Sequence, residues 1–296
     1  MLTESPQECY LCAGTGFELV DGSCRDKPDL PILRCSNCRL VFLENFDHIT
    51  EGFYEDSNMN PEECYKSLHR WRESTYRDDK RRYESLKDSL SGKDVMDFGS
   101  GNAGFLNLTK QRAKSVVGVE LDRGTHKIYE NDKIQLYTSI HDLPPLKFDI
   151  ITAFHVIEHL KDPIVWLKEL SCMLKRTGKI VLEFPSSEDC LLSLYKSGEF
   201  SNFTYWSCHL MLYNQSNIKT LIEKAGLECV KVRQIQRYPL SNHLYWLSQG
   251  KPNGHNEWPM LNSQKINKEY EALLTQMGVC DTIMVEVANK QTGSYQ

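Results

Sequence analysis

Apolar and polar positions divide the 296-residue chain into three parts. Residues 1–45 hold only short apolar patches among Cys, Gly and Pro, which indicates a small module dominated by loops. Residues 46–92 form a polar connector, and the stretch from about Glu62 to Leu90 has no Gly or Pro, which predicts one or two helices. From residue 93 onwards, apolar runs of strand length alternate with helical stretches. We therefore expect the main core in residues 93–296.

The third part sets the expected fold class. The apolar runs predict strands at Asp94–Phe98, Ser115–Val119, Ile134–Tyr137, Phe148–Phe154, Lys179–Phe184, Leu227–Arg233 and Thr282–Val287. The stretches between them predict helices at Phe105–Arg112, Arg123–Asn131, Pro163–Leu174 and Ser216–Ala225. Strands that alternate with helices predict an α/β fold with a doubly wound, mostly parallel sheet.

A glycine-rich turn follows the first of these strands. Gly99, Gly101 and Gly104 would let the backbone approach a ligand and let the next helix pack tightly. Glu120 ends the following strand, about twenty residues later, where its carboxylate can accept both hydroxyls of a ribose. Asp97, just before the first glycine, would repel a pyrophosphate and suits the α-ammonium of a methionine group. The turn therefore predicts a site for S-adenosylmethionine (SAM).

Three segments within roughly residues 93–233 resemble the motifs of class I SAM-dependent methyltransferases. They are the pattern Asp-x-Gly-x-Gly-x-x-Gly at residues 97–104, the run Phe148–Leu160 and the turn Lys175–Lys179. The resemblance implies a Rossmann-like core. It also implies a set of cofactor-binding residues, namely Asp97, Gly99, Gly101, Asn102, Glu120, Leu121, Ser139, Ile140, His155 and His159. Ser139 stands where such enzymes often carry an acid for the adenine, and Asp142 is out of register.

Two cysteine pairs lie in the first part of the chain. Cys9 and Cys12 are separated from Cys35 and Cys38 by 22 residues. Two such pairs are typical of a tetrahedral zinc site with four thiolates, which would supply folding energy to a module with a tiny core. A redox dithiol is the alternative, and Cys24 could replace one ligand.

A zinc module joined to this core is similar to bacterial methyltransferases of nucleotide-linked deoxysugars and of surface-polysaccharide biosynthesis. The resemblance implies a sugar or glycan acceptor, bound by insertions at about residues 186–215 and 234–280. Removal of a hydroxyl proton needs a base of near-neutral pKa. His209 is the first candidate, with His155 and His243 in reserve. Arg237 and Lys251 could hold a diphosphate.

Two other hypotheses stay open. One is C-methylation of a nucleotide-linked ketosugar, which is disfavoured because Cys208 replaces the Glu that precedes the His in that branch. The other is a catalytically inactive methyltransferase-like binding protein.

Charge and hydropathy limit the partners. The net charge of −5 does not favour nucleic acid, and the basic run Lys80–Arg82 is expected to be a solvated helix face. No run approaches the roughly 20 apolar residues of a membrane span, and the first twelve residues lack the pattern of a secretory signal. We therefore expect a cytoplasmic enzyme with a small-molecule or nucleotide-linked substrate.

Overall fold

The computed structural model describes residues 6–55 and 68–290. Its strands are β1 (Phe17–Leu19), β2 (Ile32–Cys35), β3 (Val41–Leu43), β4 (Asp94–Phe98), β5 (Ser115–Val119), β6 (Gln135–Tyr137), β7 (Phe148–Phe154), β8 (Leu174–Pro185), β9 (Met211–Leu212), β10 (Leu227–Ile235) and β11 (Thr282–Asn289). Its α-helices are α1 (Leu68–Leu90), α2 (Gly104–Thr109), α3 (His126–Asp132), α4 (Pro163–Cys172), α5 (Cys190–Ser193), α6 (Gly198–Thr204), α7 (Asn217–Lys224), α8 (Leu240–Gln249), α9 (Gly254–Glu257) and α10 (Gln264–Met277). No helix in these two ranges is long and apolar enough to cross a membrane.

Seven strands form the main sheet in the order β10-β11-β8-β7-β4-β5-β6. The five strands from β8 to β6 are parallel to one another, whereas β11 lies antiparallel between β8 and β10. The Rossmann-like, mostly parallel α/β fold is therefore confirmed. The predicted bounds are those observed for β4, β5 and β7. Residues 62–67 of the predicted first helix lie outside the described residues.

A second, four-stranded sheet has the order β1-β2-β3-β9. Its last strand comes from the insertion at about residues 186–215, and β9 pairs with β3 through Val41 opposite Leu212 and Phe42 opposite Met211. Ser207 adds hydrogen bonds from its backbone N and its Oγ to the carboxylate of Asp26, at 2.9 and 2.6 Å. Part of the insertion that was expected to bind substrate thus packs against the cysteine-containing module.

The helix α1 is fixed to the main sheet by buried ion pairs. The expectation that Lys80–Arg82 forms a solvated face is wrong for Arg82, which is only 8% exposed. Glu183 on β8 is fully buried, and Arg81 and Arg82 both donate hydrogen bonds to its carboxylate at 2.8–2.9 Å. A buried carboxylate requires such partners. Glu183 stands within an apolar run of the sequence, so the pattern of residues did not predict the ion pair. The ion pairs hold α1 across the edge of the sheet where the functional site lies.

Candidate functional site

A cavity of about 400 Å³ opens where β4, β5 and β7 end. Parallel strands place their carboxyl ends on one edge of a sheet, and ligands of open α/β folds bind at that edge. All ten residues that the sequence predicted to bind a cofactor line this cavity, and they are Asp97, Gly99, Gly101, Asn102, Glu120, Leu121, Ser139, Ile140, His155 and His159. The structure therefore brings the whole predicted set together, and their role in binding remains a prediction.

The turn after β4 depends on glycine at two positions. Gly99 has a φ of +70°, and a Cβ at this position would lie 2.4 Å from Cγ2 of Val156. Gly101 has a φ of +51°, and a Cβ there would meet the Trp71 ring at 3.4 Å. Non-glycine residues rarely adopt this backbone conformation, and at Gly99 the contact with Val156 also leaves no space for a side chain. The bare backbone of the turn forms one wall of the cavity.

The carboxylate of Glu120 lies in the cavity wall after β5. Its Oε2 accepts a hydrogen bond from the backbone N of Gly101 at 2.7 Å, and its Oε1 accepts one from that of Asp122 at 2.9 Å. Burial raises its pKa above the ordinary value, against the effect of these hydrogen bonds. A carboxylate offers about four lone-pair positions, so each oxygen can still accept a hydroxyl from a ligand. This geometry suits a ribose diol.

Asp97 lies deeper, at the end of β4. It is 4% exposed and accepts a hydrogen bond from Thr152 Oγ1 at 2.6 Å. Burial raises its pKa to about 7, and the neighbouring acids Asp79 and Glu120 act in the same direction. A cationic ligand group would favour the ionised form of Asp97, because opposite charges in a buried site stabilise each other. This end of the cavity therefore suits an ammonium group.

His155 follows β7 and faces the cavity between two buried carboxylates. Its Nδ1 lies 3.2 Å from Oε1 of Glu158, and its Nε2 lies 3.6 Å from Oε1 of Glu183. A guanidinium nitrogen of Arg237 lies 3.4 Å from the same Nε2. Because arginine can only donate, we assign the proton of the neutral imidazole to Nδ1, from which it is donated to Glu158. Nε2 then carries the lone pair of the ring, which accepts the hydrogen bond from Arg237.

Arg237 lines the cavity but is already paired. Its Nε lies 3.2 and 3.1 Å from the two carboxylate oxygens of Asp78 on α1. Burial opposes ionisation of Asp78, but Arg237 holds the pKa of this carboxyl below its ordinary value. Lys251, the other residue expected to hold a diphosphate, is not part of the cavity lining. The structure thus does not bring these two cations together.

The other two candidate bases lie outside the cavity lining. His243 is 1% exposed, its Nδ1 lies 2.8 Å from the Tyr270 hydroxyl, and burial lowers its pKa to about 4. His209 lies behind His159, with 5.0 Å between their ring centroids, and burial lowers its pKa to about 3. Because His209 contacts His159 but does not itself line the cavity, this placement favours His155 as the base over His209, which the sequence ranked first.

Several cavity residues were missed by the sequence reasoning. The helix α1 contributes Trp71, Thr75, Asp79 and Arg82, and α4 contributes Trp166. The α1 residues belong to a polar helix far from the glycine turn in sequence, and no motif spacing marks them. Tyr54, in the connector before α1, also lines the cavity, and its hydroxyl donates to the backbone O of His159 at 2.8 Å.

The two cysteine pairs converge in the small module. One ligand atom from each of Cys9, Cys12, Cys35 and Cys38 lies within 4.8 Å of the others. The Sγ atoms of Cys9 and Cys38 are 3.6 Å apart, and those of Cys12 and Cys35 are 3.5 Å apart. Thiolates at about 2.3 Å from a tetrahedral zinc would be about 3.8 Å apart, so the arrangement fits such an ion. These separations are too long for disulfides, and the four cysteines are free.

Comparisons with known proteins identify the family of the chain. A family model described as "Methyltransferase domain" matches residues 68–232, more than half of the chain. A ubiquinone biosynthesis O-methyltransferase of Idiomarina loihiensis is 28% identical over 107 residues, which cover 33% of this chain and 44% of that protein. A tRNA U34 carboxymethyltransferase of Dichelobacter nodosus is 31% identical over 114 residues, which cover 34% of this chain and 36% of that protein. The chain thus spans less than half the length of these two relatives.

Solved structures show the same fold. A SAM-dependent methyltransferase of Thermotoga maritima superposes with a TM-score of 0.50 at 19% identity, covering 75% of this chain and 94% of the other. A SAM-dependent methyltransferase of Archaeoglobus fulgidus gives a TM-score of 0.50 at 22% identity, covering 76% and 95%. The chain belongs to the methyltransferase domain family and has the fold of SAM-dependent methyltransferases.

Proposed function

We propose that the chain is a SAM-dependent O-methyltransferase that acts on a hydroxyl of a sugar or glycan precursor. The bound cofactor supplies an electrophilic methyl group on sulfur. In this proposal Glu120 accepts the ribose hydroxyls and Asp97 holds the α-ammonium of the methionine part. Leu121, Ser139 and Ile140 contact the adenine. The bare backbone of Gly99 and Gly101 in the cavity wall supports this arrangement, because it lets a ligand approach the main chain closely.

The observation that carries the proposal is the setting of His155. Its Nδ1 is oriented by the buried carboxylate of Glu158, and the lone pair of its Nε2 faces Arg237, which the acceptor hydroxyl would replace as hydrogen-bond partner. A histidine in this state can take the proton of an acceptor hydroxyl as the oxygen bonds to the methyl carbon and the carbon–sulfur bond breaks. The products are the methyl ether, S-adenosylhomocysteine and a proton on His155, and alignment of the two reactants supplies much of the acceleration.

The charge of the cavity supports a neutral acceptor group. Five carboxylates line it (Asp78, Asp79, Asp97, Glu120 and Asp122), against the two guanidinium groups of Arg82 and Arg237. Such an excess of acids repels a polyanion, which disfavours a nucleic acid backbone or a diphosphate inside the cavity. A sugar hydroxyl carries no charge. The O-methyltransferase among the relatives supports an oxygen acceptor.

We also propose that Cys9, Cys12, Cys35 and Cys38 hold a structural zinc ion. The 3.5 and 3.6 Å sulfur separations support four thiolate ligands around one ion. With all four positions taken by protein, the ion would have no open site for chemistry. Its role would be to stabilise the small sheet, of which β9 is the last strand.

A methyl-transfer assay tests the proposed function. Formation of S-adenosylhomocysteine is measured with a panel of free and nucleotide-linked sugars, with phenols and RNA as other acceptor classes. We expect turnover on a sugar that falls by about 10²–10⁴ in His155→Gln, because the amide cannot accept the proton. His255→Gln is the matched control outside the cavity lining. Turnover on phenols or RNA only would refute the sugar acceptor, and an unimpaired His155→Gln would refute the base.

A further inference from the structure

A second cluster of metal-binding residues lies behind the cavity wall. One ligand atom from each of Glu158, His159 and His209 lies within 4.8 Å of the others. Glu158 is fully buried, and its Oε1 is engaged by His155 at 3.2 Å. Its Oε2 is also buried and has no hydrogen-bond partner in the described part of the chain. An unpartnered buried carboxylate oxygen is costly, so the site requires a group that the described residues do not provide.

Each of the two imidazoles brings one ring nitrogen to this cluster. Nδ1 of His159 donates to the backbone O of Cys208 at 2.7 Å, which leaves Nε2 unprotonated in the neutral ring. Histidines that bind metals donate their other N–H in this way, often to a backbone carbonyl. Among the described residues the His209 ring makes no hydrogen bond, and it packs against the rings of His159 and Trp206 at centroid distances of 5.0 and 5.5 Å.

The backbone holds these residues in place from different parts of the chain. The backbone N of Leu210 donates to the O of Glu158 at 2.7 Å, so the segment that carries His209 is tied to the turn that carries Glu158. The backbone N of Leu43, on β3, donates to the O of Leu210 at 3.1 Å. The cysteine-containing module thus fixes the position of His209. Pre-ordering of this kind is what a metal site requires.

We propose that Glu158, His159 and His209 bind a divalent first-row transition metal through Oε2 of the glutamate and one nitrogen of each imidazole. Two imidazoles and a carboxylate suit Zn²⁺, Fe²⁺ and Mn²⁺. Ligand atoms at about 2.0–2.2 Å from one ion lie roughly 3–4 Å apart, so closure from 4.8 Å needs only small shifts. The carboxylate then binds the ion through one oxygen and His155 through the other, and the metal stabilises the turn that presents His155 to the cavity.

The test uses the full-length protein with zinc at its cysteines, after dialysis against a mild chelator. Mn²⁺ is the probe, because it prefers nitrogen and oxygen ligands to thiolates. Binding is followed by the electron paramagnetic resonance signal of free Mn²⁺, and the total metal per chain by elemental analysis. We expect one Mn²⁺ per chain beyond the cysteine-bound zinc, at least a tenfold weaker affinity in His209→Ala, and an unchanged affinity in His255→Ala.

The wild-type stoichiometry decides the question without a variant. Absence of a second equivalent with both Mn²⁺ and Zn²⁺ would overturn the proposal and leave Glu158 as a carboxylate that only orients His155. Equal affinity in His209→Ala, with binding of S-adenosylhomocysteine intact as proof of folding, would overturn it as well. Failure of the wild type to bind S-adenosylhomocysteine would instead count against the proposed function. The measured metal stoichiometry would then still decide whether the second metal site exists.

Discussion

Replacement of Glu183 by Gln should destabilise the protein by about 3–5 kcal/mol, the cost of removing one partner from a buried ion pair. Arg81 donates from both terminal nitrogens to the carboxylate at 2.9 Å, and Arg82 donates from Nε at 2.8 Å. A glutamine offers one acceptor oxygen and turns its NH₂ group against a guanidinium N–H. The substitution therefore removes the buried counterion that the two arginines share, although Arg81 keeps Asp78 and Arg82 keeps Asp79, and it sets two donors face to face.

Chemical denaturation measures this loss as a change in the free energy of unfolding, and thermal unfolding should shift by on the order of 10 °C. Glu84→Gln is the control, because Glu84 lies on α1 with the two arginines, its side chain is 49% exposed, and its ion pair in the described part of the chain is with Lys87. We expect no measurable change in the control. A loss below about 1 kcal/mol in Glu183→Gln would refute the reasoning that buried ion pairs fix α1 to the sheet.

The same carboxylate predicts a pH dependence. Burial opposes ionisation of Glu183, but the guanidinium groups of Arg82 and Arg81 hold its pKa well below the ordinary value of 4.5. A depressed pKa in the folded state contributes stability that is present above the unfolded value and is lost as the pH falls below about 4.5. Glu183→Gln should lack this contribution, so the stabilities of variant and wild type should converge in acid.

Replacement of Asp97 by Asn should remove a pH dependence of cofactor binding. In the wild type the ionised carboxylate holds the ammonium of the cofactor, and burial raises the pKa of this carboxyl to about 7. The wild-type affinity, measured by calorimetry, should therefore fall up to tenfold per pH unit below about 7. Cys35→Ser should lower the zinc content by one ion per chain and expose amides of residues 6–49 to hydrogen exchange, while cofactor binding persists. Gly99→Ala should cost about 1–2 kcal/mol for its backbone alone and weaken cofactor binding, because Val156 must move.

The sequence predicted the sheet well where apolar runs are buried on both faces. The bounds of β4, β5 and β7 follow from such runs, and Gly99 and Glu120 follow from the need for a bare turn and a carboxylate at a strand end. These features are local, because each depends on residues within a few positions along the chain. The residues of the glycine turn and the strand ends that line the cavity were therefore predictable before the structure.

The rest depends on contacts between distant segments. Glu183 stands in an apolar run and Arg82 on a polar helix, and only the fold shows that each is the partner of the other. The two-residue strand β9 has no periodicity of its own and forms because β3 offers it an edge. His209 looked accessible from its position in an insertion, but the small sheet draws that insertion away from the cavity. Tertiary packing decided these three points.

Calorimetric titration of the wild-type protein with S-adenosylhomocysteine tests the central claim most directly. The account predicts one site per chain with micromolar affinity, retained in Glu130→Ala on the exposed side of α3 and lost in Glu120→Ala, which removes both carboxylate oxygens from the cavity wall. Absence of binding by folded, zinc-loaded wild type, or undiminished binding by Glu120→Ala, would contradict the assignment of this cavity to the cofactor.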